Sequence, residues 1–316
     1  MWTTSSTGRI SADFGSQLEV LDPSGGKHRL TLFSHLPQRP LVGDHIRFQG
    51  ERLLAIEPRT NRLSRLQTSG ETQDLAANLD EVWLCLPLDR EPSWGRLIRF
   101  SHFAQSQGFT PLVLLTKLDL CPNPQAWIAP VTALGLEALL CSTPDGVGIA
   151  ELQARLAAGK TALLLGQSGV GKTTLANRLA GMQMATGPVR ELDHRGKHVT
   201  VTRRLVPVLG GGFLLDLPGL RELAWEEQGQ LPEAWDRLAQ NCRFSNCRHQ
   251  GEEGCAIKQA VLAGTLPQEA LAQWQKMERE SAFLARRSDK VASANSKKRW
   301  KAIHKQIRLQ QKQEDR

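Results

Sequence analysis

Residues 166–174 read Gly166-Gln167-Ser168-Gly169-Val170-Gly171-Lys172-Thr173-Thr174, which fits the phosphate-binding pattern G-x-x-x-x-G-K-[ST]. Each fixed position has a mechanical reason. The glycines let successive backbone N–H groups curl around a phosphate. Lys172 brings a point charge to the β- and γ-phosphates, and the Thr173 hydroxyl is of the type that ligates Mg²⁺. On one side, Thr161 to Leu165 (T-A-L-L-L) reads as a short buried strand. On the other, Thr174 to Leu179 opens a helix, whose N-terminus favours anions. Strand, glycine loop and helix in that order predict an α/β nucleotide-binding domain, with all of 166–174 lining the nucleotide.

Two further motifs fix the nucleotide. Downstream, the strand Phe213-Leu214-Leu215 ends in Asp216-Leu217-Pro218-Gly219, a D-x-x-G sequence. Its carboxylate serves Mg²⁺ and its glycine N–H meets the γ-phosphate in switch proteins. Upstream, the strand Pro111 to Leu115 runs into Thr116-Lys117-Leu118-Asp119, which fits [NT]-K-x-D. A carboxylate at Asp119 accepts both guanine N1–H and the exocyclic amine, a donor pair that adenine lacks. The Lys117 stem is expected over the base plane, with its ammonium bracing the phosphate loop. Ser142-Thr143 follows the next strand and completes the base side. The linear order is therefore base motif, Ser142-Thr143, phosphate loop, switch, D-x-x-G. Ordinary GTPases place the base motif last, so this order is a circular permutation, which folding tolerates because domain termini are often close together.

Outside this block the chain changes character twice. Residues 1–70 alternate weakly between short strands and turns such as Asp22-Pro23-Ser24-Gly25-Gly26, predicting a small β-barrel of the oligonucleotide-binding type, with an SH3-like barrel as the alternative. Arg59, Arg62 and Arg65 follow, read as a solvated linker or a phosphate-contacting face. Residues 71–228 alternate strands and helices, the pattern of a mostly parallel covered sheet. Cys85, Cys121 and Cys141 lie in or beside its strands and read as small buried hydrophobes. Residues 229–316 carry Cys242-x4-Cys247-x-His249-x5-Cys255. Three thiolates and one imidazole suit a closed tetrahedral Zn²⁺ site with no position left for substrate, hence a structural ion.

Charge and hydropathy narrow the partners. No run approaches the ~18 apolar residues that would span a bilayer, and the N-terminus has no apolar segment of an export signal. Both point to a cytoplasmic protein without a membrane role. Of a net charge of +8, the segment Arg286 to Lys312 holds ten Lys/Arg against one Asp, so the rest is near neutral. A cationic tail on a neutral body predicts a polyanionic partner, most simply RNA. Within it, Trp300, Ile303 and Ile307 recur at helical spacing, and just before it Leu271, Trp274 and Met277 form a stripe expected to face a core.

The permuted order followed by C-x4-C-x-H-x5-C resembles the bacterial ribosome small-subunit-dependent GTPase A family (RsgA/YjeQ), and the resemblance covers most of the chain. Val42-Gly43-Asp44 looks like that family's barrel motif. Pro58-Arg59, Asn61 and Arg65 look like its exit from the barrel, and Ala76-Ala77-Asn78-Leu79-Asp80 like its lead-in to the GTPase domain. Gly196-Lys197-His198-Val199-Thr200 looks like its G-x-H-T-T switch. The resemblance implies three parts: an oligonucleotide-binding barrel, a permuted GTPase and a zinc-bearing helical domain. It also implies a monomer acting in late maturation of the small ribosomal subunit, binding its rRNA, with GTP hydrolysis to GDP driving release. Thr200 would be the switch threonine and Lys172 the phosphate lysine. Thr116 stands where the family usually has Asn, Val199 replaces a threonine, and Leu217 replaces a small hydroxyl residue. Leu220 cannot orient water, an apolar residue at that position is normal for the family, and the resemblance then makes His198 a candidate for that task. A binding module that hydrolyses little GTP and a P-loop ATPase or kinase are the alternatives; Asp119 disfavours the latter.

Overall fold

A computed structural model describes residues 5–32, 38–66, 72–181, 203–216, 233–280 and 282. The first five strands are β1 (Ser6–Asp13), β2 (Gln17–Leu21), β3 (Lys27–Thr31), β4 (His45–Gln49) and β5 (Arg52–Ile56). They pair in the order β1-β2-β3-β5-β4, and β4 returns to β1. All contacts are antiparallel except β3 with β5. Five strands closed in this way form the oligonucleotide-binding type of barrel. Ile10, Leu18, Val20, Leu30, Ile46 and Phe48 fill it, and each lies at an inward position of its strand. A hairpin follows, β6 (Arg62–Leu66) with β7 (Thr72–Ala77), and straddles residue 70.

The barrel strands continue into six more, β8 (Glu81–Pro87), β9 (Leu112–Thr116), β10 (Glu137–Leu140), β11 (Thr161–Leu165), β12 (Arg204–Pro207) and β13 (Phe213–Asp216), through an antiparallel pairing of β1 with β12 at Ala12 and Arg204. Their order is β10-β9-β8-β11-β13-β12. Among these six, every pair is parallel except β12 with β13. The apolar runs L-V-L-L-T and T-A-L-L-L are buried along their whole length, as expected of strands covered on both faces. Alternate residues serve opposite layers. Leu84, Val113, Leu115, Leu163 and Leu165 join one core, while Trp83, Cys85, Leu114, Ala162 and Leu164 join the other. The covering helices are α1 (Trp94–Ser106), α2 (Gln125–Ala133), α3 (Ile149–Leu156) and α4 (Lys172–Ala180). The permutation is visible in the register: β8 and β11 are neighbours, with Trp83 opposite Leu164.

Beyond the sheet lie α5 (Glu233–Ala239), α6 (Ala256–Leu262) and α7 (268–280). Trp274 and Met277 of α7 are buried and Leu271 is partly buried, so the stripe faces a core as expected. Glu280 lies 3.4 Å from Arg99, which ties α7 to α1. Cys85 and Cys141 are buried and Cys121 partly so. Arg59 is not a solvated linker residue. Its side chain is 10% exposed and forms a two-pronged ion pair with fully buried Asp44, at 2.7 and 2.8 Å. The basic tail lies outside the described residues. Among the described residues no helix is long and apolar enough to cross a membrane.

Candidate nucleotide pocket and metal centre

The phosphate loop leaves the buried strand β11 and turns at Gly166. A Cβ there would lie 2.8 Å from the Cys85 carbonyl and 3.1 Å from Val170, so only glycine fits between β8 and the loop. Gly169 (φ 79°) and Gly171 (φ 95°) have open space around them but a left-handed backbone. Val170 is buried and pins the loop from below. Lys172 opens α4, and its ammonium donates to the carbonyls of Gly166 (2.7 Å) and Gln167 (2.6 Å). The charge thus stands over the loop. Ser168, Gly169, Thr173 and Thr174 are exposed at the rim. Asp216 ends β13, beside the loop's own strand. Desolvation pushes its carboxyl up from the usual carboxylate range, with Lys172 pulling the other way.

The base motif lies against this cradle. Thr116, the last residue of β9, is buried, and its hydroxyl donates to the Val170 carbonyl at 2.8 Å, across 54 residues of sequence. A threonine thereby makes a direct side-chain tether to the phosphate loop. Lys117 follows in a left-handed conformation (φ 60°). Its ammonium does not brace the phosphate loop as expected. It pairs with Asp89 at 2.6 Å, because β8 and β9 end side by side and a carboxylate is the nearer partner. Leu118 donates its N–H to the Cys141 carbonyl (3.2 Å), bringing the loop carrying Asp119 to the end of β10. There fully buried Ser142 lies 2.6 Å from Asp145 Oδ2 and 3.2 Å from Asp119 Oδ1. A hydroxyl has one proton, and the shorter contact gives it to Asp145. The Asp119 carboxylate then keeps its acceptor capacity. Thr143 is half-buried next to it. His198, Thr200 and Gly219 lie outside the described residues.

Asp89 and Asp145 escaped sequence reading. Neither belongs to a spaced motif, and each acquires its role only when parallel strands place their C-terminal ends together.

The second centre is local. The ligand atoms of Cys242, Cys247, His249 and Cys255 all lie within 4.8 Å of one another. His249 Nδ1 is 3.7 Å from the Cys242 sulfur and 3.4 Å from the Cys255 sulfur. His249 takes a left-handed backbone (φ 57°), and its ring tilts against Trp274. Backbone N–H groups of Ala256 and Lys258 donate to the Cys242 and Cys255 sulfurs (3.3 and 3.4 Å) and fix their direction. This donor set can hold a metal ion, and three sulfurs with one imidazole fit a closed tetrahedral site.

The family model for RsgA GTPase matches residues 56–226. The chain is 33% identical to small ribosomal subunit biogenesis GTPase RsgA 1 of Listeria innocua, covering 96% of this chain and 92% of that protein. It is 38% identical to small ribosomal subunit biogenesis GTPase RsgA of Xylella fastidiosa, covering 79% and 76%. Among solved structures it resembles YjeQ from Thermotoga maritima (TM-score 0.65, 22% identity, 88% of this chain and 99% of that one). It also resembles YloQ, a circularly permuted GTPase (TM-score 0.62, 24% identity, 89% and 96%).

Proposed function

We propose, for a chain that belongs to the RsgA GTPase family and is a GTPase of small ribosomal subunit maturation, that its nucleotide sits between the loop 166–174 and the loops carrying Asp119 and Ser142. The N–H groups of 166–174 and the Lys172 ammonium take the phosphates. Asp119 takes the guanine edge, with Thr116, Lys117, Ser142 and Thr143 framing it. Thr173, Thr200 and Asp216 are the side chains that would hold the Mg²⁺ bound with GTP, which would neutralise phosphate charge there. Gly219 donates its N–H to the γ-phosphate, and His198 orients the attacking water. Cys242, Cys247, His249 and Cys255 hold one structural Zn²⁺. Residues 1–70 dock on rRNA, 71–228 carry the GTPase, and 229–316 form the zinc-binding part with its basic tail. The protein works as a cytoplasmic monomer on the small subunit, away from membranes, and GTP hydrolysis drives its release.

The observation that carries the pocket is the 2.8 Å bond from the Thr116 hydroxyl to the Val170 carbonyl, which joins base motif and cradle. The test is GTP turnover with and without purified small subunits, comparing wild type with His198→Ala. Subunits should raise wild-type turnover, and the variant should bind GTP but lose the increase. No increase at low salt overturns the subunit-coupled reading. For the base, Asp119→Asn should shift preference toward xanthine nucleotides, since the amide donates where the carboxylate accepted.

A further inference from the structure

We infer that Asp89 is a positioning residue of the guanine pocket, fixing the Lys117 ammonium so that the lysine's methylene stem stands as one wall of the slot for the base. The inference rests on the reading of Asp119 as the guanine acceptor. It begins with register. β8 and β9 are parallel neighbours whose last paired residues are Pro87 and Thr116. The zipper runs one step further, from the Leu88 N–H to the Thr116 carbonyl at 2.9 Å. Asp89 and Lys117 therefore emerge together at the C-terminal edge of the sheet, where open α/β sheets bind their ligands.

The backbone then aims the lysine. Its left-handed conformation (φ 60°) is uncommon for a residue with a side chain, and the bond from the Leu120 N–H back to the Lys117 carbonyl (3.0 Å) closes the turn that imposes it. The Lys117 ammonium meets Asp89 Oδ2 at 2.6 Å. Arg90 holds the other carboxylate oxygen through Nε at 3.0 Å and touches Oδ2 at 3.3 Å. Both partners are sheltered, with side chains 26% and 21% exposed. Together the cations, Arg90 foremost, hold the Asp89 carboxyl below the usual carboxylate range, so it stays ionised throughout the working pH range. A free lysine has many rotamers, and ordering it when the base arrives costs entropy. Ordering it beforehand removes that cost from binding.

The experiment is a double-mutant cycle on nucleotide affinity, using the full chain and fluorescent GDP. Asp89→Ala should weaken binding roughly threefold to tenfold in the wild-type background. In the Lys117→Ala background the same change should have no further effect. In steady-state turnover the loss should fall on KM more than on kcat, and Asp89→Glu should recover part of it. Asp89→Asn, nearly isosteric, guards against a folding defect and should behave like Asp89→Ala. Equal losses in both backgrounds, or unchanged affinity in Asp89→Asn, overturn the proposal. A wild-type protein that prefers guanine nucleotides while ignoring Asp89 sinks this inference alone. A wild-type protein with no guanine preference sinks the pocket reading beneath it.

Discussion

Two polar clusters lie away from the nucleotide pocket, one at the joint between barrel and sheet and one among α5–α7, and they are closed in opposite ways. At the joint between barrel and sheet, donors and acceptors match within the chain. Arg59 grips Asp44, whose Oδ2 also accepts the Leu41 N–H at 2.8 Å. Asn61 trades two bonds with the Leu79 backbone (2.7 and 2.9 Å). Asn78 reaches from Thr60 to Gly43. Arg9 of β1 donates to the carbonyls of Gly43, Asn78 and Gly159 and lies over the ring of Phe213. Asp80 exchanges bonds with Thr161, the first residue of the phosphate-loop strand. At the thiol–imidazole cluster, four ligand atoms converge within 4.8 Å. Side chains of that kind, facing one another, need a cation to complete them. The joint is self-sufficient, whereas the cluster depends on its environment.

The contrast predicts that a strong chelator separates the two. Removing the ion should unfold the region around α5–α7 and leave barrel and sheet intact. Trp235 and Trp274, both buried there, report it as a red shift in tryptophan emission. Hydrogen exchange should rise across 233–280 and stay low in β8–β11. If protection is lost everywhere at once, the ion stabilises the whole molecule and the contrast is wrong. The converse is Asp44→Ala, which strands a guanidinium that is only 10% exposed. Breaking such a pair costs about 3–5 kcal/mol. It should lower the denaturation midpoint whether or not metal is present.

These clusters also separate what the sequence makes legible from what it hides. The phosphate loop and the Cys/His run are local patterns whose spacing encodes their geometry. The permutation is legible because it is an order of motifs. The barrel, a weak pattern, is settled by the return of β4 onto β1. The joint was visible only as family motifs without a mechanism, since Arg9 and Asn78 are 69 residues apart. Arg59 looked like a linker residue because nothing local names Asp44 as its partner. Lys117 pairs with a residue that its own motif does not name, for the same reason: strand neighbours, not sequence spacing, supply Asp89. Thr116 departs from the usual Asn, yet its hydroxyl reaches the phosphate loop.

A smaller effect sharpens the self-sufficiency of the joint. Asn61→Ala leaves the Leu79 N–H and carbonyl without their side-chain partner. Leaving such groups unsatisfied costs about 1–3 kcal/mol. Asn61→Asp should recover only the half in which Oδ1 accepts, because a carboxylate cannot donate to the Leu79 carbonyl. Urea denaturation of the three proteins measures this. Equal stability of the Asp and Ala variants would show that the accepting bond contributes nothing.

The smallest effect concerns the loop around His249. Glu252 accepts N–H groups from Arg248 (2.8 Å), Gln250 (2.7 Å) and Gly251 (3.0 Å). Its own N–H and these three hold its pKa down, from 4.5 to about 2. A depressed carboxylate pKa gives stability that is fully present above 4.5 and lost as pH falls toward 2. Acid releases the metal by protonating the ligands themselves, not through Glu252. Glu252→Gln, with its weaker acceptor, should therefore speed release to a chelator at neutral pH by a small factor. It should leave the pH midpoint of acid release where it was. A shifted midpoint with an unchanged neutral rate would mean that Glu252 acts on the ligands' protonation and not on the loop that presents them.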